Sequence, residues 1–280
     1  MKVAVFSDVQ ANLPAMEVAV EHILAWDPDL VVMDGDLVNR GPSSAACLDV
    51  FETLQRGRGW LPVLGNHEVW VLRCARQAPA TALEAEMRRF ADWTLAQIGE
   101  RAGTLSTWPD HLTLHAPGDS TWVHVTHGTM AGNRDGVSAS VTDQALVDRV
   151  PEDLALFVTA HTHKPLERRL GATRIVNVGS VGSPFDGDPR GSYAQLEHRG
   201  GLWHSRIVRL EYDRDRTERD FRASGMLEDG GPLAKILFEE WRRARGLMSL
   251  WRSDYEPAVV AGARPLAAAV ADFLAGLGPF

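Results

Sequence analysis

The chain has two cysteines, Cys47 and Cys74, too few for a disulfide framework. Both fall in segments of helical spacing, where free buried thiols in a reducing compartment are the ordinary outcome. No apolar run is long enough to cross a bilayer. The first, after Lys2, stops at Ser7 and Asp8, and the last, Leu266 to Leu277, is interrupted by Asp272. No secretory signal is visible, so a cytoplasmic protein is expected. Positive charge is in deficit: 29 Lys and Arg against 37 Asp and Glu give a formal net charge of -8. That balance argues against a nucleic-acid or membrane surface, because phosphate backbones select basic faces. A small phosphorylated substrate stays open, since bound divalent cations supply local positive charge. Internal repeats and low-complexity segments are also lacking.

What is present is a rhythm of short apolar runs, each followed by a polar loop. Val3 to Phe6, Leu30 to Met33 and Leu61 to Leu64 read as strands, the first two buried on both faces. Helical spacing follows at Pro14 to Ala25, Ser43 to Arg56 and Glu68 to Gln97. Further strands are expected at Thr121 to Thr126, Leu156 to Thr159, Arg174 to Val178, Tyr193 to Leu196 and Trp203 to Leu210. The pattern predicts an α/β (α+β) fold with two packed sheets and flanking helices. Composition changes after Tyr212. Asp213 to Arg222 is a charged run, read as a connector or solvated helix face, and Pro232 opens a helix closed near Gly246. The expected division is residues 1–212, with a helical insertion at about 68–110, and a helical C-terminal extension at 213–280.

Five polar clusters each follow a strand. They are Asp8-Val9-Gln10, Gly35-Asp36-Leu37-Val38-Asn39-Arg40-Gly41, Gly65-Asn66-His67-Glu68, His127-Gly128 and His161-Thr162-His163. Ligand sites in open α/β sheets gather beyond the carboxyl ends of strands, so these clusters can converge. In an extended chain, residues two apart point the same way, which would pair Asp8 with Gln10 and His161 with His163. Carboxylate, amide and imidazole donors suit manganese, iron or zinc. Two such ions roughly 3.5–4 Å apart clamp the attacking and departing oxygens of a phosphoryl displacement. The other histidines read as packing or surface residues.

The ordered set resembles the calcineurin-like metallophosphoesterase superfamily, whose pattern runs D-x-H, G-D-x-x-(D/N), G-N-H-(E/D), H and G-H-x-H. Asn177-Val178-Gly179-Ser180-Val181-Gly182, followed by Asp188-Pro189-Arg190, further resembles its small prokaryotic phosphodiesterase branch. The resemblance spans about residues 1–212 and implies a four-layer α-β-β-α sandwich around a dinuclear centre. By position, Asp8, Gln10, Asp36 and His163 would hold one divalent ion. Asp36 would bridge to a second, held also by Asn66, His127 and His161. The resemblance makes His67 the general acid, or the stabiliser of charge, at the leaving group. It places Arg40, with Asn39 beside it, on the substrate side, where a guanidinium fork suits phosphate.

Two departures stand out. Gln10 replaces a histidine and is an uncharged, weaker donor, so the first ion is expected to be held less tightly, to be a harder ion such as manganese, or to be lost. Asn39 stands where protein phosphatases carry an aspartate that pairs with the histidine matching His67, which leaves the protonated form of that ring less support. Ala11 and Ala160 stand where the pattern has glycine. The implied activity is metal-dependent hydrolysis of a phosphodiester in a small soluble substrate. A phosphatase acting on a phosphoprotein or a dinucleoside polyphosphate is the enzymatic alternative, and a non-catalytic metal-binding scaffold is the rival outside enzymes. The insertion and the C-terminal extension are each open to covering the site or forming a homodimer interface.

Overall fold

The doubly apolar strands are explained by what covers them. The structure, a computed structural model, describes residues 1–278. Its strands are β1 (Lys2–Phe6), β2 (Leu30–Asp34), β3 (Leu61–Val63), β4 (His111–Leu114), β5 (Val123–Thr126), β6 (Leu156–Thr159), β7 (Leu166–Leu170), β8 (Thr173–Asn177), β9 (Gly191–Arg199) and β10 (Leu202–Leu210). In the N-terminal half the helices are α1 (Leu13–Trp26), α2 (Ser44–Arg58), α3 (Asn66–Arg76), α4 (Ala82–Ile98), α5 (Ala102–Leu105) and α6 (Asp143–Leu146). The C-terminal stretch adds α7 (Arg214–Ala223), α8 (Met226–Asp229), α9 (Pro232–Arg243), α10 (Met248–Asp254), α11 (Glu256–Val260) and α12 (Leu266–Gly276).

The strands form two five-stranded sheets, ordered β10-β9-β1-β2-β3 and β4-β5-β6-β8-β7. Within them β1, β2 and β3 run parallel, as do β5, β6 and β8, while β9, β10, β4 and β7 pair antiparallel. Alternate residues of the first sheet, including Val3, Val5, Val32 and Ala194, meet Val123, Val125, Val158 and Val176 of the second in one buried cluster. The intervening positions Ala4, Phe6, Val31 and Met33 face the other way, into a cluster with the helices. On the far side of the second sheet Phe157 and Ile175 pack under Val137, Leu146 and Val150, around the short α6. This is the expected sandwich, with one thick helical layer and one thin one.

Two local readings change, and a third narrows to one of its alternatives. The helical stretch 68–97 is two helices, because Pro79 lies in the 77–81 gap and cannot donate an interior helical hydrogen bond. The edge strands β4 and β7 were not expected; both carry polar residues at alternate positions and have no apolar run to reveal them. The charged run at 213–222 is helix α7, with an N-cap from Asp213 to the amide of Arg216 and with Thr217 and Phe221 buried. Farther along, Leu233, Ile236, Leu237, Trp241 and Trp251 enter the same apolar cluster as Phe6 and Met33. The C-terminal helices therefore share a core with the outer face of the first sheet.

His124 is buried in β5, stacked on Phe157 at 5.5 Å and on His111 at 4.9 Å. Burial first, then repulsion from His111, lowers its pKa to about 4. Between the ordinary histidine value and about 4, the unfolded chain binds a proton that the folded chain refuses, so stability falls as pH drops through that window. His124→Phe keeps a flat ring and removes the proton. Its urea midpoint is expected to drop less than the parent's when the same titration is repeated at mildly acidic pH.

Candidate metal centre

The five polar clusters occupy the loops at the carboxyl ends of β1, β2, β3, β5 and β6. The means of convergence differs from the extended geometry expected. Asp8 and Gln10 have φ of 52° and 51°, and His161 and His163 have 61° and 57°. Ala11, Asp36, Asn39 and Arg40 are also left-handed. Left-handed backbone at non-glycine residues is unfavourable and persists where surrounding contacts over-determine it. Each pair is thus brought together by a turn.

Much of that determination comes from Glu68, whose part the sequence reading did not assign. It sits at the third position of α3, fully buried, and its carboxylate accepts four backbone amides. Oε2 takes Asp36 N at 2.8 Å and Gly65 N at 3.0 Å; Oε1 takes Leu37 N at 2.8 Å and Val38 N at 3.1 Å. Burial, then repulsion from Asp36, pushes its pKa up to about 7, and the amides of Val38 and Asp36 pull it down. Glycine is required where the two loops touch. A Cβ on Gly65 would lie 2.2 Å from Asp36 Oδ1, and one on Gly35 would lie 2.7 Å from His127 Nδ1. The Asn177 to Gly182 segment braces the other side: the Ser180 hydroxyl and Gly182 amide donate to the Asp8 carbonyl, and Asn177 Nδ2 donates to the Ala160 carbonyl.

These supports bring all seven candidate donors together. Ligand atoms of Asp8, Asp36 and His127 lie within 4.8 Å of one another. His163 Nε2 is 3.0 Å from Asp8 Oδ1, and His127 Nε2 is 3.4 Å from Asp36 Oδ2. Asn66 Oδ1 lies 3.1 Å from His127 Nε2 and 2.7 Å from His161 Nδ1. Gln10 Nε2 reaches Asp36 Oδ2 at 3.0 Å.

The donor set fits divalent ions. His127 Nδ1 is 2.7 Å from the Asp34 carbonyl, and His163 Nδ1 contacts the Ser183 carbonyl. Ring N–H groups directed at carbonyls leave each Nε2 lone pair facing carboxylate oxygen, an arrangement that calls for a cation between them. Burial opposes charge on His127, yet Asp36 and Asp8 raise its pKa well above the usual range. Burial likewise opposes charge on Asp36, and His127 and His67 hold it well below. Gln10 points its NH2 at the carboxylates, which leaves Oε1 buried without a partner. Turning the amide over would exchange that donor for a metal-ligating oxygen.

His67 sits beside the donors, its amide donating to Asp36 Oδ1 at 2.8 Å. Burial lowers its pKa well below the usual value, against the attraction of Asp36. The Thr94 hydroxyl donates to Asn39 Oδ1 at 3.1 Å, so Asn39 Nδ2 donates to His67 Nδ1 at 3.0 Å. That contact leaves the ring proton on Nε2. Asn39 is fully buried and does not line the cavity, so it stands behind His67 and not on the substrate side where it was expected. Arg40 does line the cavity, with its guanidinium 5.7 Å over Phe185 and paired to Glu240 of α9. Glu240 is itself buried and accepts the amides of Leu247 at 2.6 Å and Met248 at 2.7 Å.

Known proteins place this geometry. Residues 1–165 match the family model described as calcineurin-like phosphoesterase. The chain is 26% identical over 207 residues to phosphodiesterase YfcE of Escherichia coli, covering 71% of this chain and 88% of that one. It is 38% identical over 122 residues to a symmetrical bis(5'-nucleosyl)-tetraphosphatase of Dechloromonas aromatica, covering 42% of this chain and only 41% of that protein's length. Among solved structures, a metallophosphoesterase from Sphaerobacter thermophilus superposes with a TM-score of 0.68 at 24% identity over 87% of this chain and 99% of that one. PH1004 from Pyrococcus horikoshii gives 0.69 at 17% identity over 84% and 97%. At those identities the two structures speak for the fold.

Glu68→Gln replaces an acceptor oxygen with an NH2 that faces amide N–H groups. It is expected to lower unfolding free energy by about 3 kcal/mol, read from chemical denaturation. Gln10→His is expected to raise metal retained per chain after dialysis, measured by elemental analysis, without changing the fold.

Proposed function

The chain belongs to the calcineurin-like phosphoesterase family, and from that premise we propose that it hydrolyses a phosphodiester in a small soluble substrate at a dinuclear metal centre. The observation that carries this reading is the convergence of Asp8, Asp36, Asn66, His127, His161 and His163, contributed by five separate loops, into contacts of 3.4 Å or less. The phosphodiesterase relative, matched over most of its own length, supports the diester preference.

In this reading Asp8, Gln10, Asp36 and His163 hold one divalent ion, and Asp36, Asn66, His127 and His161 hold the other. Ions held there supply Lewis-acid polarisation of a phosphoryl oxygen and activation of water. His67 does the proton work on the protein side. Its Nδ1 accepts from Asn39 and its Nε2–H is free to donate toward a leaving oxygen at the cavity floor. Burial keeps the ring neutral, so it serves first as a hydrogen-bond donor to developing charge. Asn39 and Thr94 fix which nitrogen carries the proton, a positioning role. The carboxylate of Glu240 restrains Arg40, so that guanidinium shapes the wall and reaches phosphate only by sharing its partner. The scaffold alternative is disfavoured by the donor set, in which Gln10 is the one weak member.

Turnover of bis(4-nitrophenyl) phosphate is expected with manganese and is expected to vanish on chelation. His67→Ala should lower kcat by about 10²-fold or more with bound metal unchanged. No turnover with any divalent ion tried would overturn the proposal.

A further inference from the structure

The cavity beside the candidate centre has a volume of about 350 Å³, and three arginines line it: Arg40, Arg134 and Arg252. The charge of Arg40 is answered by Glu240. Arg134, in the loop after β5, and Arg252, on α10, are exposed and form no hydrogen bond or ion pair among the described residues. The two carboxylates on the wall are committed elsewhere, Asp36 to the candidate centre and Glu240 to Arg40 and two amides. Two guanidiniums therefore line one cavity without an ion-pair partner among the described residues, in a protein whose overall charge is -8. Burial, then repulsion from Arg252, lowers the pKa of Arg134, while Asp36 draws it the other way, so Arg134 senses both the second arginine and the centre.

We propose that Arg134 and Arg252 bind a second, non-reacting phosphate group of the substrate, which makes the substrate a small phosphoester that carries another phosphate. This rests on the phosphoesterase reading above and adds to it a specificity that no other residue of the cavity supplies. A phosphate monoester carries close to two negative charges at neutral pH and answers two guanidiniums, whereas a carboxylate answers one. Guanidinium forks match phosphate oxygens in geometry as well as charge. Trp70, Phe90, Phe185 and Leu237 line the same cavity and give the body of the substrate an apolar seat. A cavity of this size takes a small molecule and not a protein loop. Arg252 also explains what the C-terminal stretch does for the site: α10 brings a substrate-facing charge to it from beyond the family match, which ends at residue 165.

The test measures binding, so it does not depend on turnover. Inorganic phosphate and methylenediphosphonate are titrated calorimetrically into manganese-loaded protein at fixed free manganese. Because the bisphosphonate also chelates, the decisive quantity is how its advantage over phosphate changes on substitution. The double variant R134Q/R252Q is expected to lose about tenfold or more of that ratio, the single variants part of it, and R134K/R252K less than the glutamine pair. Both positions are exposed and unpartnered, and the single variants keep the test alive should the double one fold poorly. A ratio unchanged in R134Q, R252Q and the double variant overturns this inference while leaving the phosphoesterase reading intact. Failure of the parent to turn over bis(4-nitrophenyl) phosphate overturns that reading instead.

Discussion

The buried carboxylate of Glu68 is the contact on which the rest of the site depends. Four backbone amides from two loops end on its two oxygens. A carboxylate buried without such partners would cost several kcal/mol, so the loops and the acid hold one another in place. The arrangement fixes Asp36 at positive φ above β2, and it sets the first turn of α3, where Asn66 and His67 project. Asp36 then receives the His67 amide at 2.8 Å, so the side chain that faces the candidate ions is also tied to the helix start. An N-terminal helix turn favours negative charge, which suits both Glu68 and Asp36 there. The left-handed residues at the site are the strain that this network sustains.

Electrostatics then explain why the point where these loops converge suits a cation. Carboxylate oxygens, amide oxygens and imidazole nitrogens lie within about 3 Å of one another in a buried, low-dielectric setting, which favours positive charge among them. The opposed displacements of His127, upward, and Asp36, downward, are those of an imidazolium beside a carboxylate, so positive charge is favoured at this point. The strand ends supply this chemistry, and the helices after β10 supply its surroundings. Glu240 joins the two parts: one oxygen holds Arg40 beside the centre, and the other caps the turn that leads into α10. The cavity wall is therefore built by both halves of the chain around one buried ion pair.

The sequence showed most of the chemistry and little of the shape. Strands β1, β2 and β6 are largely apolar runs buried on both faces, and each ends at a polar cluster, so their place is readable. The edges β4 and β7 are not, because a strand half exposed to water needs no continuous apolar pattern. Alternation in an extended chain would pair Asp8 with Gln10 and His161 with His163, whereas the backbone at all four is left-handed. Glu68 falls within a motif, yet nothing in one sequence says that its carboxylate faces backbone amides. Glu240, Arg134 and Arg252 belong to no motif and are far from the clusters in sequence. What singles out the two arginines is the lack of a partner among the described residues, which only a folded structure displays.

The two departures from the family pattern act on different parts of the site. Gln10 puts an amide where a basic ring is usual, and Asn39 puts an amide where protein phosphatases have a carboxylate. The second change matters more for proton transfer. A carboxylate behind His67 would favour the protonated ring, whereas the Asn39 amide donates to Nδ1 and so requires that nitrogen to be unprotonated. Burial acts in the same sense. His67 is thereby set up to donate a hydrogen bond from a neutral ring, and a strongly basic leaving group would get little proton transfer from it. Leaving groups of low basicity, such as a phosphate or an aryl oxide, need less. A second phosphate on the substrate, seated against Arg134 and Arg252, would lie where the chain offers positive charge that neither the candidate metal donors nor Arg40 can spare.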